Sequence, residues 1–181
     1  MSRLICIKRW ERTRHRPVAV VHRQEGQSLV EFALICIVLF MILLGIIGFS
    51  LIFAANLSLN LAVNTAGRAS AVEDWSLADP NGNYDLGIYN ELLGSLIILD
   101  PARIQSITIY RPNADGSMSN MKNILNAAGT RTYENYPPAS RSRDTFIGIE
   151  VTYIEPVIVP FVSAVTGPEL SLTKSATFRI E

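Results

Sequence analysis

The sequence predicts an α+β protein in which a single N-terminal transmembrane helix is extended beyond the membrane into a spine and packed by a small, mainly antiparallel β-sheet domain. Three observations lead there. No charged residue occurs from Phe32 to Gly67. Asn56, Asn60, Asn64 and Arg68 then recur every four residues, the repeat that lines one face of a helix. Beyond residue 100, three stretches alternate apolar and polar side chains as half-buried strands do. The expected organisation is a basic leader over 1–26, a membrane and spine helix over 27–72 with its membrane part at 32–55, and an exported α+β domain over 73–181.

Composition sets the outer bounds. The chain has 181 residues, 49% of them apolar and 18% charged, with a formal net charge of zero. Such a chain is about one domain or one domain with an appendage. It is too apolar for a disordered tail and too weakly charged for a basic nucleic-acid binder. The neutrality conceals a division. Residues 1–26 hold seven basic side chains (Arg3, Lys8, Arg9, Arg12, Arg14, Arg16, Arg23) against Glu11 and Glu25, whereas the remainder holds nine basic and fourteen acidic ones.

Phe32 to Phe49 reads FALICIVLFMILLGIIGF, and extension to Ala55 supplies the roughly 20 apolar residues that a membrane-spanning helix needs. A buried helix of a soluble core rarely goes five turns without a polar edge. The basic flank before the helix places the N-terminus in the cytoplasm and the acidic body on the far side of the membrane. A cleavable secretory signal has an apolar region of about 7 to 15 residues ending at a small-residue site. Here the tract is longer, and Ala54-Ala55 runs on into helix-compatible Asn56-Leu57-Ser58, so a single-pass anchor is expected.

The chemistry is narrowed by two residue types. Cys6, His15 and His22 lie in the leader and Cys36 in the apolar tract, so the exported body has neither Cys nor His. It offers no disulfide, no Cys–His nucleophile pair and no Cys or His metal ligand. It also lacks GxSxG and a glycine-rich phosphate loop. Asp100, Glu150 and Glu155 are carboxylates that no spacing brings together. The expectation is a non-enzyme with no catalytic residue, no cofactor, no metal, no nucleic-acid partner and no small-molecule substrate.

The junction reads Glu25-Gly26-Gln27-Ser28-Leu29-Val30-Glu31-Phe32-Ala33-Leu34. A carboxylate entering a spanning helix costs of order 2.5 to 3.5 kcal/mol if drawn to the bilayer centre, so Glu31 needs a reason to be there. One reason is a helix start, with Ser28 as N-cap and Glu31 three residues on as a capping box. Another lies in the whole arrangement of basic leader, glycine, four residues, glutamate and long apolar helix. It resembles the class III signal of type IV pilins and pseudopilins. That resemblance implies cleavage by a prepilin peptidase between Gly26 and Gln27, with Glu31 and Phe32 as the processing and assembly recognition pair.

The letters around the junction, the run Leu61-Ala62-Val63-Asn64-Thr65-Ala66-Gly67-Arg68-Ala69-Ser70-Ala71 and the terminal Leu172-Thr173-Lys174-Ser175-Ala176-Thr177-Phe178-Arg179-Ile180-Glu181 together resemble the TadE-like family of pseudopilins. The resemblance implies a part in assembly of an adhesive Flp-type pilus. It also implies, as partners, membrane lipid, the prepilin peptidase, other pilus or pseudopilin subunits and the assembly platform. One departure is the absence of the proline that the family commonly places after the Glu-Phe pair; Ile35-Cys36-Ile37-Val38 stands there, so no proline kink is expected. The alternative is an uncleaved, signal-anchored domain that binds a partner outside the membrane, and a third is an anchored hydrolase working through carboxylates.

Past the membrane the helix continues. From Gln27 to Ala71 it would measure roughly 65 Å. Gly45, Gly48, Ala54 and Ala55 either permit close helix contact or reflect ordinary membrane composition. Asn56, Asn60 and Asn64 form a solvated or domain-facing stripe. Turn formers at Glu73-Asp74-Trp75-Ser76 and Asp79-Pro80-Asn81-Gly82-Asn83 should end the helix. Asp79, Asn81, Asn83 and Asp85 alternate like half a calcium loop, but Tyr84 stands where the glycine belongs and Asn90 where the glutamate does, which favours an Asx and Gly turn.

Helical spacing runs over Leu86 to Leu96 and is broken by Asp100-Pro101. Ile104 to Tyr110 reads as a strand with Ile107 and Ile109 on one face, and Arg111 to Ser117 as a turn. Met118 to Ala128 is expected to be a short helix. Residues 129–144, with Arg131, Arg141 and Arg143, are expected to be an exposed loop with solvated charges, unless the arginines meet an acidic partner. Thr145 to Glu155 and Leu170 to Glu181 alternate as strands with Ile147, Ile149, Val151 and Tyr153, and Leu172, Ala176, Phe178 and Ile180, facing inward. Pro156 to Val165 is apolar but too short to span a bilayer, and should rest on the membrane surface or in the core.

Overall fold

The computed structural model describes residues 25–72, 83–141 and 144–181. The leader up to residue 24, most of the turn-forming loop including Asp79 and Asn81, and Arg143 lie outside the described residues. Two compact units divide between Val38 and Leu39, inside the first helix.

Helix α1 (Glu25–Ala71) runs 47 residues without interruption. It contains no proline and is rich in Leu, Ala and Ile, so nothing in it breaks the hydrogen-bond ladder. It continues through Ile35–Val38, as expected from the missing proline. Among the described residues it is the one helix long and apolar enough to cross a membrane. It ends where Val72 N–H donates to the Arg68 carbonyl, and the freed Ala71 carbonyl accepts from the amide of Glu181, so a residue just past the final strand satisfies a helix-end group that would otherwise be orphaned.

In the larger unit, α1 turns one face to a sheet. Ala55, Leu59, Ala62, Val63 and Ala66, spaced by three and four, are buried. Three of these five are alanines, so the sheet approaches the helix closely. The asparagine stripe faces outward instead: Asn60 is exposed, and the Asn64 amide donates back to the Asn60 carbonyl at 2.7 Å.

The sheet has the order β3-β2-β1-β4-β5 with every neighbouring pair antiparallel. Its strands are β1 (Ile104–Pro112), β2 (Met118–Leu125), β3 (Arg131–Glu134), β4 (Phe146–Pro156) and β5 (Glu169–Arg179). Helix α2 (Tyr84–Ser95) packs Ile88, Tyr89 and Leu92 into the same core as α1, against Ile107 and Ile109 of β1 and Ile147, Ile149, Val151 and Tyr153 of β4. The alternation in β4 and β5 is realised as read. On the opposite face Tyr110 lies over Gly148, where a Cβ would come within 2.4 Å of its ring. Burial is the main reason the Tyr110 phenol is raised above its ordinary range.

Two expectations are corrected. Met118 to Ala128 is not a helix but β2, paired to β1 from Ile107–Leu125 to Pro112–Met118. Its apolar residues at 118, 121, 124 and 125 mimic a helical repeat because the inward position 123 is an asparagine, fully buried and hydrogen-bonded. Residues 129–144 are not one exposed loop. A tight turn, in which the Asn126 side chain accepts from the amides of Ala128 and Thr130 and Gly129 adopts a φ of 73°, delivers β3. The apolar segment after β4 forms a short helix, α3 (Pro160–Thr166), and Val159 and Val162 lie against α1 at Gly48. That glycine does serve close packing, within the chain.

Gly67 is a second such point. A Cβ there would lie 2.1 Å from the Phe178 ring of β5. Gly67→Val should therefore lower the unfolding free energy by about 1 to 3 kcal/mol through overpacking. Denaturant unfolding of the detergent-solubilised protein should show part of the loss restored by adding Phe178→Ala.

Candidate functional site

The predicted recognition residues all lie at the start of α1. Gly26, Gln27, Glu31 and Phe32 are helical and exposed. Gln27 and Glu31 share a face one turn apart, with the Gln27 amide donating to Glu31 Oε1 at 3.4 Å. Phe32 projects outward beside Leu29 and Val30, which are also exposed. Ser28 is not an N-cap: the helix already includes Glu25, so Ser28 sits inside it and the capping-box account of Glu31 does not hold. A Cβ at Gly26 would meet nothing within 4 Å.

A second cluster lies in the larger unit, and the sequence did not reveal it. Asp85, in the first turn of α2, is buried with its side chain only 2% exposed. Its Oδ1 accepts from Arg141 Nη2 at 2.5 Å, and its Oδ2 lies 3.2 Å from Arg131 Nη2 and accepts from Asn123 Nδ2 at 2.7 Å. Asn123 uses its whole amide. Nδ2 also donates to the Tyr136 carbonyl, and Oδ1 accepts from the amides of Asn135 and Tyr136. Arg131 reaches Glu134 at 2.6 Å and the side-chain oxygen of Asn83. Two guanidinium groups thus meet two carboxylates, and the cluster is neutral.

The Arg141 side chain is 9% exposed and stacks its guanidinium 4.7 Å from the centre of the buried Tyr136 ring. Its Nε and Nη1 find no acceptor among the described residues, and the ring face supplies part of what they lack. Burial holds the Tyr136 phenol above its ordinary range, against the opposing pull of Arg141 and Arg111. The knot ties α2 to β2, β3 and the turn at Pro138–Ser140. The reading of Arg131 and Arg141 as solvated charges is therefore corrected: their acidic partner is within the chain. The oxygens of Asn83 and Asp85 face guanidinium groups, an arrangement suited to a structural turn and unsuited to binding a cation.

Asp100 and Glu155 both lie near Tyr153, whose hydroxyl accepts from the Asp100 amide. Asp100 caps the turn at Pro101–Arg103 by accepting from the Ala102 amide, while Glu150 sits mid-strand in β4 and Glu155 near its end.

Comparison with known families matches the model of the TadE-like protein family to residues 26–68. The match begins at Gly26 and takes in Gln27, Glu31, Phe32 and Gly67, which bears out the family resemblance over this segment. The C-terminal patch from Leu172 to Glu181 falls outside it. No curated protein and no solved structure matches the chain.

Replacing one partner of the buried knot leaves the others unpaired, so Asp85→Asn should cost about 3 to 5 kcal/mol of stability. A double-mutant cycle with Arg141→Met, measured by denaturant unfolding, should give a smaller loss for the pair than the sum of the single losses.

Proposed function

We propose that this chain, whose residues 26–68 match the TadE-like family, is a pseudopilin-like subunit with a role in assembly of a tight-adherence (Flp-type) pilus. The observation that carries the reading is where the match falls. It opens at the glycine of the predicted processing site and covers the whole recognition segment and the apolar helix. In this reading α1 anchors the protein in the cytoplasmic membrane with the leader inside and the sheet domain outside, and the protein acts by binding other subunits and the assembly platform, not by catalysis.

A prepilin peptidase would hydrolyse the Gly26–Gln27 bond, water supplying the carboxylate left on Gly26 and the amine left on Gln27. The product carries an ammonium on Gln27 and a carboxylate on Glu31, both at the lipid boundary. Each is costly to desolvate alone, and a neighbouring helix displaced along the axis can pair them, which favours assemblies over isolated helices. Phe32 and the exposed apolar residues around it provide the lipid- or subunit-facing surface beside that pair.

Intact-mass measurement of protein extracted from membranes of a host with an active prepilin peptidase tests this. The wild type should lack residues 1–26, and Gly26→Val should retain them. Because a Cβ at position 26 meets nothing, that substitution reports on the peptidase and not on packing. Glu31→Gln should still be processed but lose incorporation or assembly. A wild-type chain that keeps Met1 would overturn the reading in favour of an uncleaved, signal-anchored binding domain.

A further inference from the structure

The segment after β4 sits at an unexpected level on α1. Gly48 is the seventeenth residue of the uncharged tract that begins at Phe32, and a membrane span takes roughly 20. Yet Gly48 is buried, because Val159 and Val162 cover it; a Cβ there would lie 2.8 Å from Val159 Cγ2. A part of the sheet domain therefore packs on α1 at a residue still within the span.

The composition and hydrogen bonding of that part match such a position. Val157 to Pro168 contains no charged residue. Ile158 and Val165 are among the most exposed apolar residues of those described, at 74% and 79%. The two hydroxyls of α3 are turned inward to its own backbone, Ser163 Oγ donating to the Pro160 carbonyl and Thr166 Oγ1 to the Val162 carbonyl. A helix prepared in this way presents no unsatisfied side-chain donor to lipid. Ser50 of α1 does the same toward the Ile46 carbonyl.

A second apolar projection lies at the same end of the sheet. Ile97 and Ile98 are exposed at 78% and 65%, just ahead of Asp100, whose amide donates to the Tyr153 hydroxyl near the end of β4. Charged side chains resume on the sheet side of both projections, at Asp100, Arg103, Glu155 and Glu169. The order apolar lip, then charged rim, is that of a body seated in the boundary of a bilayer.

We infer that α3, with Ile158 and Val165, and the Ile97–Ile98 turn are inserted among the acyl chains of the outer leaflet, so that the exported domain is held against the membrane at a second place besides the span. The occupant is lipid because the lip is continuous with the lipid-facing surface of α1, where Leu44, Ile47 and Leu51 are exposed around Gly48. The inference rests on the reading of α1 as a membrane anchor. It limits the tilt and rotation of the domain about α1 and thereby the orientation in which another subunit meets it.

Fluorescence quenching of the full chain in phosphatidylcholine vesicles tests it. Cys6→Ser and Cys36→Ala remove the native thiols, and single cysteines at Ile158, Val165, Leu39 and Ala114 carry an environment-sensitive dye. Leu39 reports the span and Ala114 the water-exposed turn between β1 and β2. Expected is loss of fluorescence to doxyl-labelled lipid at 158 and 165 as at 39, with protection from iodide that 114 lacks. If 39 is quenched by lipid while 158 and 165 behave as 114, the inference is overturned and the anchor stands. If 39 is not quenched, the anchor reading fails and takes the inference with it. Protection from iodide at 158 and 165 without quenching by lipid means that protein, such as a second copy, covers the lip, and this also overturns the proposal.

Discussion

The contact between α1 and the sheet is the interaction on which the larger unit depends. Leu59, Ala62, Val63 and Ala66 are fully buried there, and with Ala55 they give the sheet the covered face it requires. Three contacts in chain order set the register: Gly48 with Val159, Gly67 with Phe178, and Ala71 with Glu181. From Gly48 to Ala71 the helix rises about 35 Å, and the 11 residues of β5 extend about 36 Å. Helix and edge strand are matched in length. A helix that is apolar for lipid along one part is thus apolar for protein along the next, which is why no charge appears until Arg68.

Opposite demands meet at the Asp85 knot. Burial of ions is a weak source of stability, since the desolvation of each charge offsets most of the attraction. Its value lies in selecting one arrangement. Asn123 has four hydrogen bonds available and uses four, each to a different atom, so a shift of β2 or of the segment at Asn135 and Tyr136 would strand a buried polar group. The short strand β3, only four residues long, gains from the Arg131 bridge a fixture that its own pairing could not supply.

Local patterns were legible in the sequence, and distant pairings were not. The span, α2, β1, β4 and β5 each announce themselves by a repeat of side chains within a few residues, and the recognition segment is likewise a contiguous motif. β2 escapes recognition because its inward position 123 carries an amide, which removes the alternation by which strands are recognised. β3 is too short for any period to register. Nothing in the spacing connects position 85 with positions 131 and 141; the only hint was an acidic residue and several arginines in stretches that otherwise looked solvated. Gly48 and Gly67 were visible as small residues, but what fills the space they leave comes from positions 159 and 178, more than 100 residues further on.

Those two glycines also constrain how α1 meets another helix. Close approach of helix backbones depends on small residues at the contact, and here Gly48, Ala55, Ala62, Ala66 and Gly67 are all buried within the chain. The surface left outward includes a row of large side chains at a spacing of four, Phe49, Phe53, Leu57 and Leu61, with the first two rings stacked at 6.3 Å. On the pseudopilin reading, subunit contacts along this part of the helix would therefore proceed by ridges packing into grooves at the ordinary 8 to 10 Å separation and not by the tighter glycine-mediated crossing. Gly45, with open space around it, is the one glycine of the tract still free to admit a closer neighbour.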